Sequence, residues 1–269
     1  MHYLRVFQFF AAFLLLSLLH TYSGYAQGCV TLFGVTAPNA NTIEPVRIDS
    51  LDGDLAVVTS IQSSSSALQV APGSFTVNSL QQELVFLQST AANSNIKTVN
   101  ALNGNPGATS PNVTNLLEFE YHCEADKLYA LQRVTVTSYR VVEVNPATAG
   151  TTPIGAVINL PAGNTLAAGI STIDIVGNRF FFFSHNGGIY TLHVAPLDGS
   201  AATSFSLLPF EPVDAEFNVV TGELLIFTVS LQLATINPAT GAANLQGVVA
   251  ASPVSVPVNN GALDPFTNR

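Results

Sequence analysis

The sequence contains few charged residues, since Asp, Glu, Lys and Arg together make up 9% of its 269 residues, against about 25% in an average soluble domain. Lys97 and Lys127 are its lysines, and the formal net charge is −9. Nucleic acid is therefore an unfavourable partner, because binding to a phosphate backbone needs clustered Lys and Arg. The surface must instead be covered by Ser, Thr, Asn and Gln, which favours strands over helices.

Cysteine and tryptophan are also scarce, with two Cys and no Trp. Cys29 and Cys123 fall in non-adjacent repeats, so we expect two separate thiols, although a disulfide stays open in an oxidising compartment. No second metal-ligand spacing accompanies them, and we expect no cofactor and no zinc site. The lack of Trp removes the usual platform on which sugar rings stack.

One long apolar run is present, from Val6 to Leu19, directly after Arg5. With the small residues of Gly24-Tyr25-Ala26 behind it, the run predicts a signal peptide over residues 1–26 and a single domain over 27–269. It is shorter than the roughly 20 residues that span a bilayer. The sequence thus predicts a secreted, extracellular protein with no membrane span.

Two alternatives to this secreted form stay open. The apolar run can serve as an uncleaved anchor, or Ala26-Gln27-Gly28-Cys29 can act as a degenerate lipobox. In the second case Cys29 carries lipid and the protein is periplasmic or anchored to the cell surface.

The rest of the chain repeats one unit, which is clearest at Asp214–Phe227. There an alternating stretch enters a V-T-G turn and an apolar stretch returns, which predicts a β-hairpin. The outgoing segments are Ser74–Ser79, Glu118–Cys123, Ile170–Ile175, Asp214–Val219 and Asn260–Pro265. The returning segments are Leu84–Leu87, Leu128–Leu131, Phe180–Phe183 and Leu224–Phe227.

A second turn follows each return and recurs every 42 to 51 residues. These turns are Asp49–Gly53, Asn100–Gly104, Asn145–Ala149, Ala195–Gly199 and Asn237–Gly241. Each is followed by a further predicted strand, at Leu55–Ile61, Ala108–Val113, Ile154–Leu160, Ala202–Leu208 and Asn244–Ala250. A period of roughly 40–50 residues with about four strands is typical of a propeller blade.

The two ends of the chain complement each other. Val30–Phe33 is a returning strand without an outgoing partner, and Asn260–Pro265 is an outgoing strand without a return. The sequence therefore predicts an all-β, five-bladed β-propeller with four-stranded blades, closed by N- and C-terminal strands in one blade. A β-sandwich would explain the alternation, but neither the five-fold register nor the complementary ends.

Two of these segments carry a family resemblance. Asn237-Pro-Ala-Thr-Gly241 and Leu128-Tyr-Ala130 resemble the D-P-x-T-G turn and the L-Y-A strand of repeat-type secreted β-propellers. The resemblance covers nearly all of the mature chain and implies the fold. It leaves the function open, because such propellers serve many roles.

Polar side chains form three columns on one face of the outgoing strands. Nearest the turn lie Asn78, His122, Asp174, Asn218 and Asp264, which suit turn capping. Two residues earlier lie Thr76, Glu120, Thr172, Glu216 and Ala262, and four earlier Ser74, Glu118, Ile170, Asp214 and Asn260. Carboxylates on an inner strand are costly unless they are wet or paired. We therefore predict an acidic ligand-binding mouth formed by Glu118, Glu120, His122, Asp214 and Glu216.

Other candidates have ordinary structural explanations. Asp49, Asp52 and Asp54 resemble part of a calcium loop, but they lack the spacing and the distal Glu of an EF-hand, so a plain turn is the preferred interpretation. His185 is interpreted as turn chemistry and His193 as a buried structural histidine. No catalytic motif is present.

The sequence thus favours a non-enzymatic binding scaffold whose partner is an extracellular protein or a glycan. Polar loops at Ser63–Ser66 and Ala91–Asn95 are the expected contact segments. The alternative is a polysaccharide-cleaving glycoside hydrolase of five-bladed propeller type, in which Glu120, Glu216 and Asp214 would converge. A lectin with one site in each blade is a third hypothesis.

Overall fold

The computed structural model describes residues 32–39, 41–48, 55–62, 69–78, 80–89, 93–206, 210–230 and 232–248. Within these ranges it contains strands and turns and no helix. The strands form antiparallel sheets of four strands each, taken in order along the chain. In sheets 2 to 5 every strand pairs with the next one in sequence, so each sheet is a simple meander.

The strand bounds follow the predicted repeat. Sheet 1 contains β1 (Leu32–Asn39), β2 (Thr42–Ile48), β3 (Leu55–Val57) and β4 (Ile61–Gln62). Sheet 2 contains β5 (Gln69–Asn78), β6 (Glu83–Ser89), β7 (Ser94–Asn100) and β8 (Pro106–Asn112). Sheet 3 contains β9 (Leu116–His122), β10 (Lys127–Thr135), β11 (Ser138–Val144) and β12 (Thr151–Asn159). Sheet 4 contains β13 (Thr165–Asp174), β14 (Arg179–Asn186), β15 (Ile189–Pro196) and β16 (Thr203–Ser206). Sheet 5 contains β17 (Pro212–Asn218), β18 (Glu223–Thr228), β19 (Gln232–Ile236) and β20 (Ala243–Val248).

Consecutive sheets pack against each other through separate apolar clusters. One cluster joins sheets 1 and 2 around Phe86, and the next joins sheets 2 and 3 around Phe119. Sheets 3 and 4 meet around Phe182, and sheets 4 and 5 meet around Phe181. This serial stacking, in which each sheet contacts its neighbours in sequence, is the arrangement of propeller blades.

The Phe180–Phe183 run shows why one sheet can serve two interfaces. All four side chains are 0% exposed. Because side chains alternate across a strand, Phe180 and Phe182 pack towards sheet 3, whereas Phe181 and Phe183 pack towards sheet 5. Burying each ring stabilises the fold by about 1.5–3 kcal/mol. The interpretation of this run as core is confirmed.

The hairpin between the first two strands has the same geometry in sheets 2 to 5. Four residues after the capping position, the backbone enters the left-handed region in every copy, at Gln82, Asp126, Asn178 and Gly222 (φ 52 to 71°). Sheet 5 has glycine at this position, whereas the other three sheets have residues with side chains, for which a positive φ is sterically unfavourable.

The second turn also behaves as the repeat predicted. The side chains of Asn100 and Asn145 each accept the backbone N–H groups two and three residues later. The Asn237 side chain accepts the N–H group two residues later, and its backbone carbonyl closes the turn. Ala149 occupies the position that glycine fills elsewhere and adopts φ 58°. Its methyl group packs on the cluster between sheets 2 and 3, so the side chain at this position adds apolar contact that glycine would lack.

Several expected boundaries shift. The predicted strand Leu55–Ile61 is two short strands, β3 and β4, that both pair with β2. The predicted strand Ala202–Leu208 is limited to Thr203–Ser206 among the described residues. His185 lies in β14 beside the Gly187-Gly188 turn, not in the turn itself.

Other predicted features fall outside the described residues. These are the signal peptide, Cys29, Asp49–Asp54, Ser63–Ser66 and Asn260–Pro265. Cys123 is described and is buried between sheets 3 and 4.

The first strands of sheets 2 to 5 approach one another. β5 contacts β9, β9 contacts β13 and β13 contacts β17, while β13 also reaches across to β5. The polar columns predicted on these outgoing strands therefore lie at the place where the sheets converge. We call β5, β9, β13 and β17 the inner strands.

Candidate functional site

The column nearest the hairpin turn caps that turn in every described copy. Asn78 accepts from the Gln81 N–H at 3.0 Å, and the Nδ1 atom of His122 lies 3.2 Å from the Ala125 N–H that it accepts. Asp174 and Asn218 each accept two backbone N–H groups of their own turns. The acceptor atoms of these side chains are thus used by backbone N–H groups of the same turn, as in Asx turns. We call this end of the sheets the Asx-turn end.

His122 also connects two sheets. Its Nε2 atom lies 3.0 Å from the Asn178 Oδ1 atom in sheet 4. With its Nδ1 atom accepting from the Ala125 N–H, the neutral tautomer that carries the proton on Nε2 satisfies both contacts. His122 is 2% exposed, so the structure places this predicted binding residue at the buried end of β9, where its side chain caps the following turn.

Glu118 occupies a β-bulge in β9. Leu117 and Phe119 pair with consecutive residues of β10, so Glu118 is the extra residue, with φ 51°. Its side chain is 0% exposed, and the Oε1 atom accepts the Gly169 N–H of β13 at 2.7 Å. The Oε2 atom has no hydrogen-bond partner and lies against Gly73 of β5. The bulge turns this carboxyl into the contact between three inner strands, so it is buried there, and its place in a ligand-binding mouth stays a prediction.

Glu120 is partly exposed and contacts the same neighbour. Its Oε1 atom accepts the Ser171 hydroxyl of β13 at 2.5 Å. On β17, the Asp214 Oδ1 atom accepts the N–H of the next residue at 2.9 Å, and the Glu216 Oε2 atom accepts the Thr172 hydroxyl at 3.2 Å. Strand β13 therefore supplies donors to carboxylates on both of its sides.

These carboxyl groups titrate far from their usual range. Burial raises the pKa of Glu120 from 4.5 to about 8, and the negative charges of Glu118 and Asp214 add to the rise while the Ser171 hydroxyl opposes it. Burial likewise raises the pKa of Glu118 to about 7 and that of Asp214 to about 7. At neutral pH Glu120 is therefore mainly protonated, and Glu118 and Asp214 are protonated in part. Protonated carboxyls in such a site can donate hydrogen bonds or act as general acids.

Two threonines tie the acidic strands to their neighbours. The Thr76 hydroxyl of β5 accepts the Tyr121 N–H of β9 at 3.1 Å, and the Thr172 hydroxyl of β13 accepts the Phe217 N–H of β17 at 3.2 Å. Both bonds join residues 45 positions apart. The sequence columns contained these threonines, but not their role as acceptors between sheets.

Sequence reasoning missed the other partners of the carboxylates. Gly73, Gly169 and Ser171 lie in no predicted column as ligands or donors, yet they surround Glu118 and Glu120. The sequence offered one weak signal for these partners, because Gly73 and Gly169 occupy equivalent places before the outgoing segments. In the structure both glycines have positive φ.

His193 is the buried structural histidine that the sequence predicted. It is 0% exposed, and its ring stacks on Phe182 with centroids 4.6 Å apart. Its two nitrogens lie 2.8 Å from the Ser184 and Ser204 hydroxyls. Burial lowers its pKa to about 4, so the ring is neutral and serves packing and hydrogen bonding.

No group of three or more His, Cys, Asp or Glu side chains in the described part of the chain is arranged to hold a metal ion. The calcium-like residues Asp49, Asp52 and Asp54 are outside that part. In the same described residues, no helix is long and apolar enough to cross a membrane.

Comparison with known proteins gives a fold. No family model and no curated relative matches the sequence. The chain is similar to a solved nidogen/laminin complex, with 10% identity, TM-score 0.57, and coverage of 80% of this chain and 77% of that one. It is also similar to TolB from Acinetobacter baumannii, with 11% identity, TM-score 0.54, and coverage of 81% of this chain and 53% of that one.

A third similar structure is an oligogalacturonate lyase from Vibrio parahaemolyticus, with 11% identity and TM-score 0.52. The match covers 81% of this chain and 63% of the lyase. The chain thus spans about half to two thirds of the TolB and lyase chains. Together with the serial four-stranded sheets, these neighbours show that the chain has a β-propeller fold. At such low identity, the similarity carries no function.

Proposed function

We propose that this protein is a secreted β-propeller that works as a non-enzymatic binding scaffold for an extracellular protein or a glycan. One observation carries the proposal: Glu118, Glu120 and Glu216 hydrogen-bond to β13 of the neighbouring sheets. These hydrogen bonds hold sheets 3, 4 and 5 together at the convergence point. Loops at the two ends of the sheets then offer the surfaces for recognition, as on other rigid scaffolds.

The proposal includes a five-bladed ring and a signal peptide over residues 1–26. One feature supports the ring. Among the described residues β1 pairs only with β2, which leaves its other edge available for Asn260–Pro265. A β-edge left open is prone to pair with another chain, so a protein gains by closing it. The domain over 27–269 would then begin and end in one blade.

A binding screen on the mature chain tests this function. We expect binding to at least one member of a panel of extracellular matrix proteins and glycans, and loss of binding when end loops such as Ala91–Asn95 are exchanged for Gly/Ser linkers. The exchange leaves Ser94 and Asn95 in place, because these two residues of the predicted loop begin β7. It should then leave the thermal midpoint nearly unchanged, because surface loops contribute little packing. Absence of binding to every class in the panel would contradict the proposal.

An enzymatic alternative rests on two carboxyl groups. Glu120 and Asp214 are partly exposed and have raised pKa values of about 8 and about 7, as a general acid requires. Hydrolysis of a polysaccharide needs two carboxyls roughly 5–10 Å apart, one protonated as the acid and one ionised as the base or nucleophile. One similar fold is an oligogalacturonate lyase.

The two functions give different results in one experiment. Purified wild type, Glu120→Gln and Glu216→Gln are assayed for release of reducing ends from a panel of polysaccharides, including polygalacturonate. Under the scaffold proposal we expect no turnover by any of the three. Turnover by the wild type that falls about 100-fold or more in Glu120→Gln would establish the enzyme instead.

A further inference from the structure

Three large apolar side chains stand in solvent at equivalent positions of the Asx-turn end. Leu80, Val176 and Val220 each follow a capping residue by two positions, and they are 57%, 66% and 72% exposed. A single exposed apolar residue is ordinary. The same position is apolar and exposed in sheets 2, 4 and 5, which makes a repeated apolar set at one end of the sheets.

The remaining described copy places a charge at that position. In sheet 3 it is Glu124, which is exposed. Glu83 and Glu223 begin the second strands of sheets 2 and 5, also at the Asx-turn end. The apolar set is therefore interspersed with carboxylates.

A cleft opens between sheets 2 and 3 at the Asx-turn end, and Gln81, the residue after Leu80, lines it. It has a volume of about 480 Å³, within the range of ligand pockets. Its charged lining consists of Glu83, Asp126, Glu143 and Lys127. Three carboxylates against one ammonium make the cleft acidic.

The cations at this end are already engaged. Lys127 lies 2.7 Å from Glu143, and Arg179 lies 2.6 Å from Asp174. These are the salt bridges formed within the described residues, and both lie at the Asx-turn end of sheets 3 and 4. The negative charge of Glu83, Glu124 and Glu223 therefore adds to a surface that holds no spare cation in sheets 2 to 5.

We propose that the Asx-turn end docks a basic, apolar peptide segment of a partner protein. The inference rests on the proposed scaffold function and names the surface and the chemistry of the partner. A Lys or Arg side chain of the segment enters the cleft near Glu83, while its apolar side chains cover Leu80, Val176 and Val220. A second copy of this chain fits poorly there, because two acidic ends facing each other repel.

Synthetic peptides of about 12 residues serve as probes, a length that spans several side-chain pockets. One alternates Leu and Lys, a second replaces Lys with Glu, and a third replaces Leu with Ser. Binding to the mature chain is measured by fluorescence anisotropy at low and high salt. We expect binding of the Leu/Lys peptide, with at least about tenfold weaker binding of the other two and a loss of affinity at high salt.

Two surface variants locate the site. The apolar variant carries Leu80→Ser, Val176→Ser and Val220→Ser, and the charge variant carries Glu83→Gln, Glu124→Gln and Glu223→Gln. We expect each to weaken binding of the Leu/Lys peptide by about tenfold or more, since interface cores lose at least this much when anchors are removed.

A matched control uses apolar residues at the opposite end of the sheets. Val136, Ile189 and Val229 lie at the hairpins between second and third strands and are 77%, 54% and 55% exposed. The triple change to Ser should leave binding unchanged. Circular dichroism and the thermal midpoint check that every variant folds.

Each other outcome overturns the docking proposal in a distinct way. Equal binding by all variants, or loss of binding only in the control variant, moves recognition elsewhere and leaves the scaffold function standing. Absence of peptide binding with a positive matrix or glycan screen does the same. Concentration-dependent dimerisation that the apolar variant abolishes, measured by sedimentation, would assign the surface to a second copy.

Discussion

The inner strands are of two kinds. At the position two residues before the capping side chain, β9 and β17 carry Glu120 and Glu216, whereas β5 and β13 carry Thr76 and Thr172. The threonines accept backbone N–H groups of the acidic strands, and hydroxyl and amide groups of β13 donate to the carboxylates. The carboxyl groups of β9 and β17 thus receive their hydrogen-bond donors from β13. These donors allow carboxyl groups to lie where the sheets converge in a protein that has few cations.

The comparison also separates two ways of tolerating a buried acid. Asp174 on β13 lies beside Arg179 and accepts two N–H groups of its turn, so an ion pair and two backbone donors satisfy its oxygens. Glu118 and Glu120 on β9 receive one donor each and have pKa values raised to about 7 and about 8. Burial without a cation is relieved by protonation.

The largest expected effect comes from filling the space beside Glu118. Gly73 has φ 65°, and a Cβ there would meet the Glu118 carboxyl and lie 2.9 Å from the Gly169 Cα. We expect Gly73→Ala to lower the free energy of unfolding by about 3 kcal/mol, from backbone strain plus overpacking. Urea denaturation measures it.

Gly187→Ala is the matched control. Gly187 has a similar φ of 56°, but nothing lies within 4 Å of its Cβ position. It should lose only about 1 kcal/mol, the strain alone. Equal losses at both positions would show that the three-strand contact at Glu118 adds nothing.

The second prediction concerns pH. The pKa of Glu120 is raised from 4.5 to about 8 in the folded chain, so folding retains a proton that the unfolded chain releases. Its contribution to stability is fully present below about pH 4.5 and is lost as the pH rises towards 8. We expect the free energy of unfolding to fall by about 2 kcal/mol or more between about pH 5 and pH 8.5.

Glu120→Gln should reduce the slope of that profile while keeping an acceptor for Ser171, and the remaining slope comes from Glu118 and Asp214, whose pKa values are also raised. Glu124→Gln, at an exposed position, should leave it unchanged. Urea midpoints across the pH series decide between them, and a wild-type profile that rises with pH over this window would refute the neutral-carboxyl description.

A third, smaller effect is expected from Ser171→Ala. The Ser171 hydroxyl donates to Glu120 at 2.5 Å and opposes the rise in its pKa. Its removal should cost about 1.5 kcal/mol and raise the pKa of Glu120 further, because the lost hydrogen bond favoured the anion. NMR titration of the Glu120 carboxyl carbon measures the shift in pKa. An unchanged pKa would contradict an energetically important Ser171–Glu120 hydrogen bond between β13 and β9.

The smallest effect separates the two threonines. Thr172 accepts the Phe217 N–H and donates to Glu216, whereas for Thr76 the bond between sheets is acceptance of the Tyr121 N–H. Thr172→Val should therefore cost about 1 kcal/mol more than Thr76→Val. Urea denaturation of the two variants under identical conditions measures their free energies of unfolding. A larger loss of stability in Thr76→Val than in Thr172→Val would contradict this prediction.

Much of the architecture followed from local patterns. Period-two alternation and turn chemistry act over a few residues, so the hairpins around Phe180–Phe183 and Leu224–Phe227, and the turns at Asn100 and Asn237, were predictable. The bulge at Glu118 was not, because nothing in the residue type signals a positive φ for glutamate. The outermost strands were placed less well, since β3 and β4 are short and pair irregularly with β2.

The amino-acid sequence by itself determined the repeat, the four-stranded unit and the identity of the acidic side chains, because these depend on spacing and composition. Tertiary structure alone decided which donor meets which carboxylate, since Gly169 and Glu118 are 51 residues apart and become neighbours only when the sheets converge. It also decided that Glu118 is buried and that the pKa values of Glu118, Glu120 and Asp214 are raised, because burial is a property of packing that no single strand contains.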